Sequence, residues 1–270
     1  MLDEKEKLLL EFIRKYKKAA VAFSGGVDSS VVLAACQKAG IEVYPLFAKT
    51  MAVPEFEKQD ARNVARETGT VLTVLEHNPL QVKEFRENIP QRCYFCKKAL
   101  LKLLKQKAAS LGCSVLFDGT NLDDCGDYRP GMAAVKEEGI ISPLLECRFT
   151  KPEVRKLAEK YGLSIAAKPA YACLASRIPY GEEITEAKLQ QVEKAEAGVA
   201  ALGFKNVRVR CHGSLARLEL NQEQLEAALA VREKIVQAVK AAGFVFVTLD
   251  LEGYRTGSMN TLLKTDNCNS

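Results

Sequence analysis

Histidine is scarce in this chain of 270 residues. Only His77 and His212 are present, and neither stands in a nucleophilic-triad order or at a metal-ligand spacing. Neither is assigned a role. No apolar stretch approaches the roughly 18 residues of a membrane span. The start, Met1-Leu-Asp-Glu-Lys-Glu-Lys-Leu-Leu-Leu10, has neither the basic opening nor the unbroken apolar core of a signal peptide. A cytoplasmic protein with no membrane partner is expected. Runs of Lys and Arg are also missing, and the net charge of +5 is modest. It favours small anionic ligands and argues against a nucleic-acid partner. There is no internal repeat and no low-complexity tract.

Cysteine, by contrast, is plentiful, with nine residues, an odd number. In a reducing compartment these do not form a disulfide framework, so metal, cluster or catalytic use has to be weighed. Cys36, inside the apolar run Val31–Cys36, reads as a small core residue, and Cys113 and Cys147 need no special role.

The first half alternates strand and helix signals. Apolar runs at Lys18–Phe23, Ile41–Phe47, Val71–Glu76 and Ser114–Asp118 are separated by helical stretches at Ser29–Lys38, Glu55–Thr68 and Cys96–Leu111. Gly40 is expected at the C′ position of the first of these helices, and Thr150-Lys-Pro-Glu153 is a capping box opening a helix to Tyr161. Strands joined by helices of this length predict an α/β fold with a doubly wound parallel sheet. Lys168–Gly181 is a long Pro-punctuated loop without periodicity. Beyond it come a helix at Glu186–Leu202, a hairpin of Val207–Cys211 with Leu215–Leu220, a helix at Glu223–Ala241 and a strand at Phe244–Leu249. The expected organisation is therefore a domain over residues 1–180 and a smaller α+β domain over 181–270.

Ser24-Gly25-Gly26-Val27-Asp28-Ser29-Ser30 sits at the first strand-to-helix junction. Glycines let the backbone turn and present its N–H groups, the helix start adds a positive dipole end, and Ser24, Ser29 and Ser30 supply hydroxyls. This is an anion cradle of phosphate size. It lacks the Lys of a Walker loop and carries Asp28 instead, which makes sense if that carboxylate holds Mg²⁺. The bland alternative is a Gly-Gly turn ahead of a Ser/Asp helix cap.

The S-G-G-x-D-S string resembles the signature of the PP-loop ATP pyrophosphatases, whose fold is adenine-nucleotide α-hydrolase-like. The resemblance covers residues 1–180 and implies ATP cleavage between the α and β phosphates with transfer of AMP to a substrate oxygen. Phe117-Asp-Gly-Thr-Asn-Leu-Asp-Asp124 is similar to the family's second nucleotide-side segment, which nominates Asp118, Thr120 and Asn121. Three further stretches are similar to the LarE family of sulfur transferases, which build the nickel-pincer nucleotide. They are Lys168–Gly181, the pair Arg208 and Arg210, and Asp250–Asn260.

That resemblance implies adenylation of a pyridinium dicarboxylate mononucleotide, then conversion of the acyl-adenylate to a thiocarboxylate with sulfur from a sulfide source. A homo-oligomer is expected. Lys168 and Arg177 flank Cys173 and are expected to hold phosphate charge and to favour a thiolate there. Arg208 and Arg210 alternate with valines, so both emerge on one strand face, suited to a substrate phosphate. Glu196 is a weaker candidate for the same pocket. The bland alternative for these cations is a solvated surface charge.

Cys93-Tyr-Phe-Cys96 is a C-x-x-C pair read as lying just before a helix. Within the LarE family a lone cysteine at the Cys173 position surrenders its own sulfur, whereas a variant with an added C-x-x-C pair holds a [4Fe–4S] cluster on three thiolates. Cys93, Cys96 and Cys173 match the second pattern. A zinc site, or a sacrificial Cys173 beside an unliganded pair, stays open at this level. So do a PP-loop tRNA thiolase and a non-catalytic nucleotide sensor. An amide-forming ligase would need an ammonia source, for which the sequence has no glutaminase domain.

Overall fold

A computed structural model describes residues 2–126, 130–169, 171–255 and 257. The chain forms two packed units, Met1–Phe85 with Gln91–Tyr171, and Arg86–Pro90 with Ala172–Ser270.

The first unit runs α1 (Leu2–Arg14), β1 (Lys18–Ala22), α2 (Val27–Ala39), β2 (Glu42–Lys49), α3 (Glu55–Glu67), β3 (Thr73–Glu76), α4 (Lys83–Arg86), α5 (Arg92–Ser110), β4 (Leu116–Phe117), α6 (Pro130–Glu137), α7 (Pro143–Glu146) and α8 (Lys151–Lys160). Its four strands are parallel, in the order β3-β2-β1-β4. Successive side chains on a strand point to opposite faces, and the sheet is accordingly covered twice. Ala19, Val21, Phe47 and Phe117 join one core with Leu9 and Ile13 of α1, Val31 and Leu33 of α2, and Val154 and Leu157 of α8. Ala20, Leu46 and Leu116 join the other with Leu101 and Leu104 of α5 and Val135 of α6. Burying one such Leu or Val side chain stabilises the fold by about 1.5–3 kcal/mol. The doubly wound parallel sheet read from the sequence is the fold observed.

The second unit carries α9 (Glu186–Ala200), β5 (Arg208–His212), β6 (Leu215–Glu219), α10 (Leu225–Ala230), α11 (Arg232–Ala241) and β7 (Phe246–Leu249). β5 and β6 form the expected antiparallel hairpin, and β7 joins β6 in parallel, giving a mixed three-stranded sheet. Among the described residues no helix is long and apolar enough to cross a membrane.

Several boundaries differ from the sequence reading. Helix α2 opens at Val27, so Asp28, Ser29 and Ser30 lie on its first turn. Helix α5 opens at Arg92, which puts Cys93 and Cys96 on the helix itself and not ahead of it. The Lys/Leu pattern begins only at Lys97, and Gln91 at the N-cap makes no side-chain capping bond, so no local signal marked the true start. The helix read as Glu223–Ala241 breaks at Val231, whose φ of −114° leaves the helical region. Val231 N–H turns back to Ala228 C=O, a tightened i→i−3 bond. Thr150 and Glu153 do form the capping box, and Gly40 takes the left-handed conformation that ends α2.

Candidate active site

The phosphate cradle lies where β1 hands over to α2, at the carboxyl edge of the sheet. Gly25 has φ +76°, and a Cβ there would lie 2.9 Å from Ala61 Cβ, so both torsion and space demand glycine. Ser29 Oγ and Ser30 Oγ donate to Gly26 C=O at 3.1 and 2.8 Å, and Gly26 N–H donates to Ser24 Oγ at 3.3 Å. These bonds fix the loop's shape. The helix's first backbone bond runs from Ser30 N–H to Gly26 C=O, leaving the N–H groups ahead of it without an intrahelical partner. That is the anion-binding end of a helix.

The cradle opens into a cleft of about 520 Å³, lined also by Asp118, Gly119, Asn121, Lys97 and Lys151. Asp118, buried, is the hub of the second segment. Its carboxylate accepts from Thr120 N–H and Oγ1 at 3.2 and 2.7 Å, and from Ser142 Oγ at 2.6 Å. Gly119 packs directly on the cradle, since a Cβ there would meet Ser29 N at 2.6 Å. Asp28 receives Asn121 Nδ2 at 3.1 Å on one oxygen and Lys151 Nζ at 2.5 Å on the other. Lys151 N–H in turn donates to Asp123 Oδ2 at 2.8 Å. All nine residues nominated for the nucleotide thus fall in two segments that meet at this cleft, with Asn121 bonded to Asp28.

Cys93, exposed, and Cys96, half-buried, are three residues apart on the first turn of α5, hence on neighbouring surface positions. Cys93 lies close to the cleft, because a Cβ built on Gly131 of its lining would stand 3.9 Å from Cys93 C=O and 3.7 Å from Lys97 Cβ. Lys168 is paired with Glu57 and Asp60 of α3, at 2.6 and 2.5 Å, and stands over the Phe56 ring. Its charge is already engaged by two carboxylates.

In the second unit Cys173 is exposed at the head of a 3-10 turn, Leu174–Arg177. Arg177 is fully buried. It donates to Glu196 twice, at 2.8 and 3.0 Å, and to the carbonyls of Ala172 and Cys173 at 2.6 and 3.2 Å. Its guanidinium is therefore a clamp on the backbone around Cys173, where the sequence reading had it holding phosphate charge. Glu196, the weak candidate for the phosphate pocket, is Arg177's counter-ion and also accepts from Val209 N–H at 2.9 Å. Arg210 pairs bidentately with the buried Glu219, at 2.9 and 2.7 Å, and donates to Ser176 C=O at 2.9 Å. Arg208 lies under the Tyr254 ring, 5.2 Å from its centroid. Both arginines are only 5% exposed, so neither is the solvated surface charge that was the alternative. Of the Asp250–Asn260 stretch, Thr256 and Ser258–Asn260 lie outside the described residues.

Residues 17–114 match the family described as tRNA methyl transferase HUP domain. A protein of Synechocystis sp. is 40% identical over 266 residues, 97% of this chain and 99% of its own length. The pyridinium-3,5-bisthiocarboxylic acid mononucleotide synthase of Lactiplantibacillus plantarum is 35% identical over 264 residues, covering 97% of this chain and 96% of that protein. The chain belongs to the LarE family of PP-loop ATP pyrophosphatases. A tRNA-specific 2-thiouridylase of Geobacter metallireducens is 30% identical over 194 residues, but spans 56% of this chain and 53% of that enzyme. The NMN synthetase of Francisella tularensis shares the fold, with a TM-score of 0.52 and 15% identity over 63% of this chain and 75% of its own.

For a LarE-type chain the cysteines divide by environment. Burial pushes the thiols of Cys36, Cys113, Cys147 and Cys211 above the ordinary range, whereas Cys93, Cys125 and Cys173 are exposed. Burial also lowers the pKa of both histidines. Among the described residues no group of three or more His, Cys, Asp and Glu side chains is placed to hold a metal ion. Lys151 was missed by the sequence reading, which took Thr150–Glu153 only as a cap. The available signal was a cation in the first turn of a helix, where the macrodipole disfavours one.

Proposed function

We propose that this protein is an ATP-dependent sulfur transferase. It adenylates a carboxylate of a pyridinium dicarboxylate mononucleotide and converts it to a thiocarboxylate, a step in making the nickel-pincer nucleotide. The observation that carries this is the Ser24–Ser30 cradle joined through Asp28 to Asn121 and Lys151, in a chain similar over its whole length to a synthase of that bisthiocarboxylate.

The chemistry follows from the groups present. A carboxylate is a poor electrophile because its leaving group would be oxide. The helix α2 N-terminus and cradle hydroxyls hold the ATP phosphates while the substrate carboxylate oxygen bonds to the α phosphorus and pyrophosphate departs. Hydrosulfide then adds to the acyl carbon, and AMP leaves with the former carboxylate oxygen. Hard oxygen donors at Asp28 suit Mg²⁺, which takes one or two carboxylates together with phosphates and so needs no cage of protein ligands. When bound, Mg²⁺ would neutralise phosphate charge there. Arg208 and Arg210 are assigned to the substrate phosphate, and Arg177 with Glu196 to holding the Cys173 turn.

Cys93, Cys96 and Cys173 are assigned to a [4Fe–4S] cluster. Soft thiolates suit it, and three accessible or half-accessible thiols support the reading, although neither unit contains all three. Such a cluster would leave one iron open to supply sulfide. Anaerobically purified protein should contain about four irons and lose them when any of the three becomes Ala. Protein that stays iron-free, and loses the elements of H₂S from Cys173 on turnover, would instead make that cysteine the sacrificial donor. The partial likeness to tRNA thiouridylases supports a second reading, tRNA thiolation. Pyrophosphate release that depends on added tRNA and not on the mononucleotide would favour it.

A further inference from the structure

Lys151 is an unusual residue for its position. It is the first residue of α8, where the helix dipole repels a cation. The cap does not need it, because Thr150 and Glu153 already complete the capping box. Its ammonium reaches instead into the nucleotide cleft and holds Asp28 Oδ2, with Asn121 Nδ2 on Oδ1. Each oxygen of the Asp28 carboxylate therefore already has a donor. Each oxygen can still accept a divalent ion beside its donor, but an ammonium left on Asp28 would then face the ion's charge, and the flexible lysine, about 29% exposed, is the partner with somewhere to go.

We propose that Lys151 is a further catalytic residue of the ATP step, a cation that occupies Asp28 until Mg²⁺ takes its place and then moves to the departing pyrophosphate. This rests on the adenylation reading above. Before nucleotide arrives, Lys151 neutralises a carboxylate that would otherwise repel the phosphates. Once Asp28 is engaged by metal, an ammonium beside a divalent ion is repelled, and a phosphate chain in the same cleft offers it a counter-charge beside the Asp123 and Asp124 carboxylates of the lining. In the step itself the substrate carboxylate oxygen bonds to the α phosphorus as the bond from that phosphorus to the bridging oxygen breaks. The electron pair stays on pyrophosphate, where the ammonium offsets the new charge with no proton transferred. The charge is thus available only after the metal is in place, which links metal loading to phosphoanhydride cleavage.

The test uses the full chain as wild type, Lys151→Met, Lys151→Arg and Asp28→Asn, with two readouts. Mn²⁺ alone, without nucleotide, is titrated by EPR; pyrophosphate release is then measured with saturating Mg²⁺, ATP and the mononucleotide. Removing the competing cation in K151M should tighten Mn²⁺ binding by about five-fold, the scale of one partly exposed ion pair. Pyrophosphate release should fall roughly ten-fold or more, and K151R should recover part of it. D28N should lose Mn²⁺ binding, and retained binding there overturns the proposal. So does K151M with Mn²⁺ affinity unchanged or weakened, or with its rate of pyrophosphate release intact. A wild type that releases no pyrophosphate would overturn the underlying reading, whereas an active wild type with an indifferent K151M overturns only the role of Lys151.

Discussion

Gly119→Ala isolates the contact between the two nucleotide segments. Gly119 has no positive φ, so alanine meets no torsional penalty and the whole effect is contact. The added Cβ would stand 2.6 Å from Ser29 N and 2.9 Å from both the carbonyl carbon and Cβ of Asp28, where ordinary contact begins at 3.4 Å. Two of these neighbours are backbone on the first turn of α2, which is packed by Val31 and Leu33 and cannot slide without disturbing the core. Overpacking of this kind costs about 1–3 kcal/mol. The cheaper relief is to push the 118–121 segment outward, lengthening the Asn121–Asp28 bond and opening the cradle. The variant should therefore fold with a modestly lowered melting temperature and lose ATP-dependent pyrophosphate release by roughly ten-fold or more. Calorimetry and a coupled pyrophosphate assay read the two effects separately. Wild-type kinetics and stability together would refute the claim that Gly119 seats on the cradle.

Arg177→Met removes the bidentate counter-ion of the buried Glu196 carboxylate and should cost about 3–5 kcal/mol. Adding Glu196→Leu should restore much of that stability but not the fixed position of Cys173, as read by hydrogen exchange over residues 172–178. Arg208→Ala should weaken the mononucleotide by about 1.5–3 kcal/mol with ATP affinity unchanged in calorimetric titrations. Arg210→Ala is a less clean probe, because it also removes the bidentate counter-ion of the fully buried Glu219. Alkylation of the iron-free protein at pH 8 should label Cys93, Cys125 and Cys173 well before Cys36, Cys113, Cys147 and Cys211. Burial holds the latter four as thiols by raising their pKa, and peptide mass spectrometry with equal labelling of all would contradict it.

The parallel sheet and the cradle were legible because both are written locally. Short apolar runs, helices of ordinary length and a glycine pair ahead of Asp28 each carry their geometry in a few consecutive residues. What the sequence hid is long-range. Nothing near Arg177 announces that Glu196, nineteen positions on, turns it from a phosphate cation into a backbone clamp. Likewise Lys151 and Asp28 lie 123 positions apart and meet only because α8 packs beside α2 over the same core. The C-x-x-C pair was misplaced for a local reason, the uncapped start of α5, and the closeness of Cys93 to the nucleotide cleft emerged only with α6 in place.

The central claim is that ATP activates a substrate carboxylate as its adenylate before sulfur enters. The most direct measurement supplies the mononucleotide with ¹⁸O in its carboxylates, together with Mg²⁺, ATP and sulfide under anaerobic conditions, and follows the nucleotide products by mass spectrometry. The account predicts pyrophosphate, AMP carrying one ¹⁸O, and a product in which that oxygen is replaced by sulfur. Release of ADP and orthophosphate, or AMP without label, would contradict it.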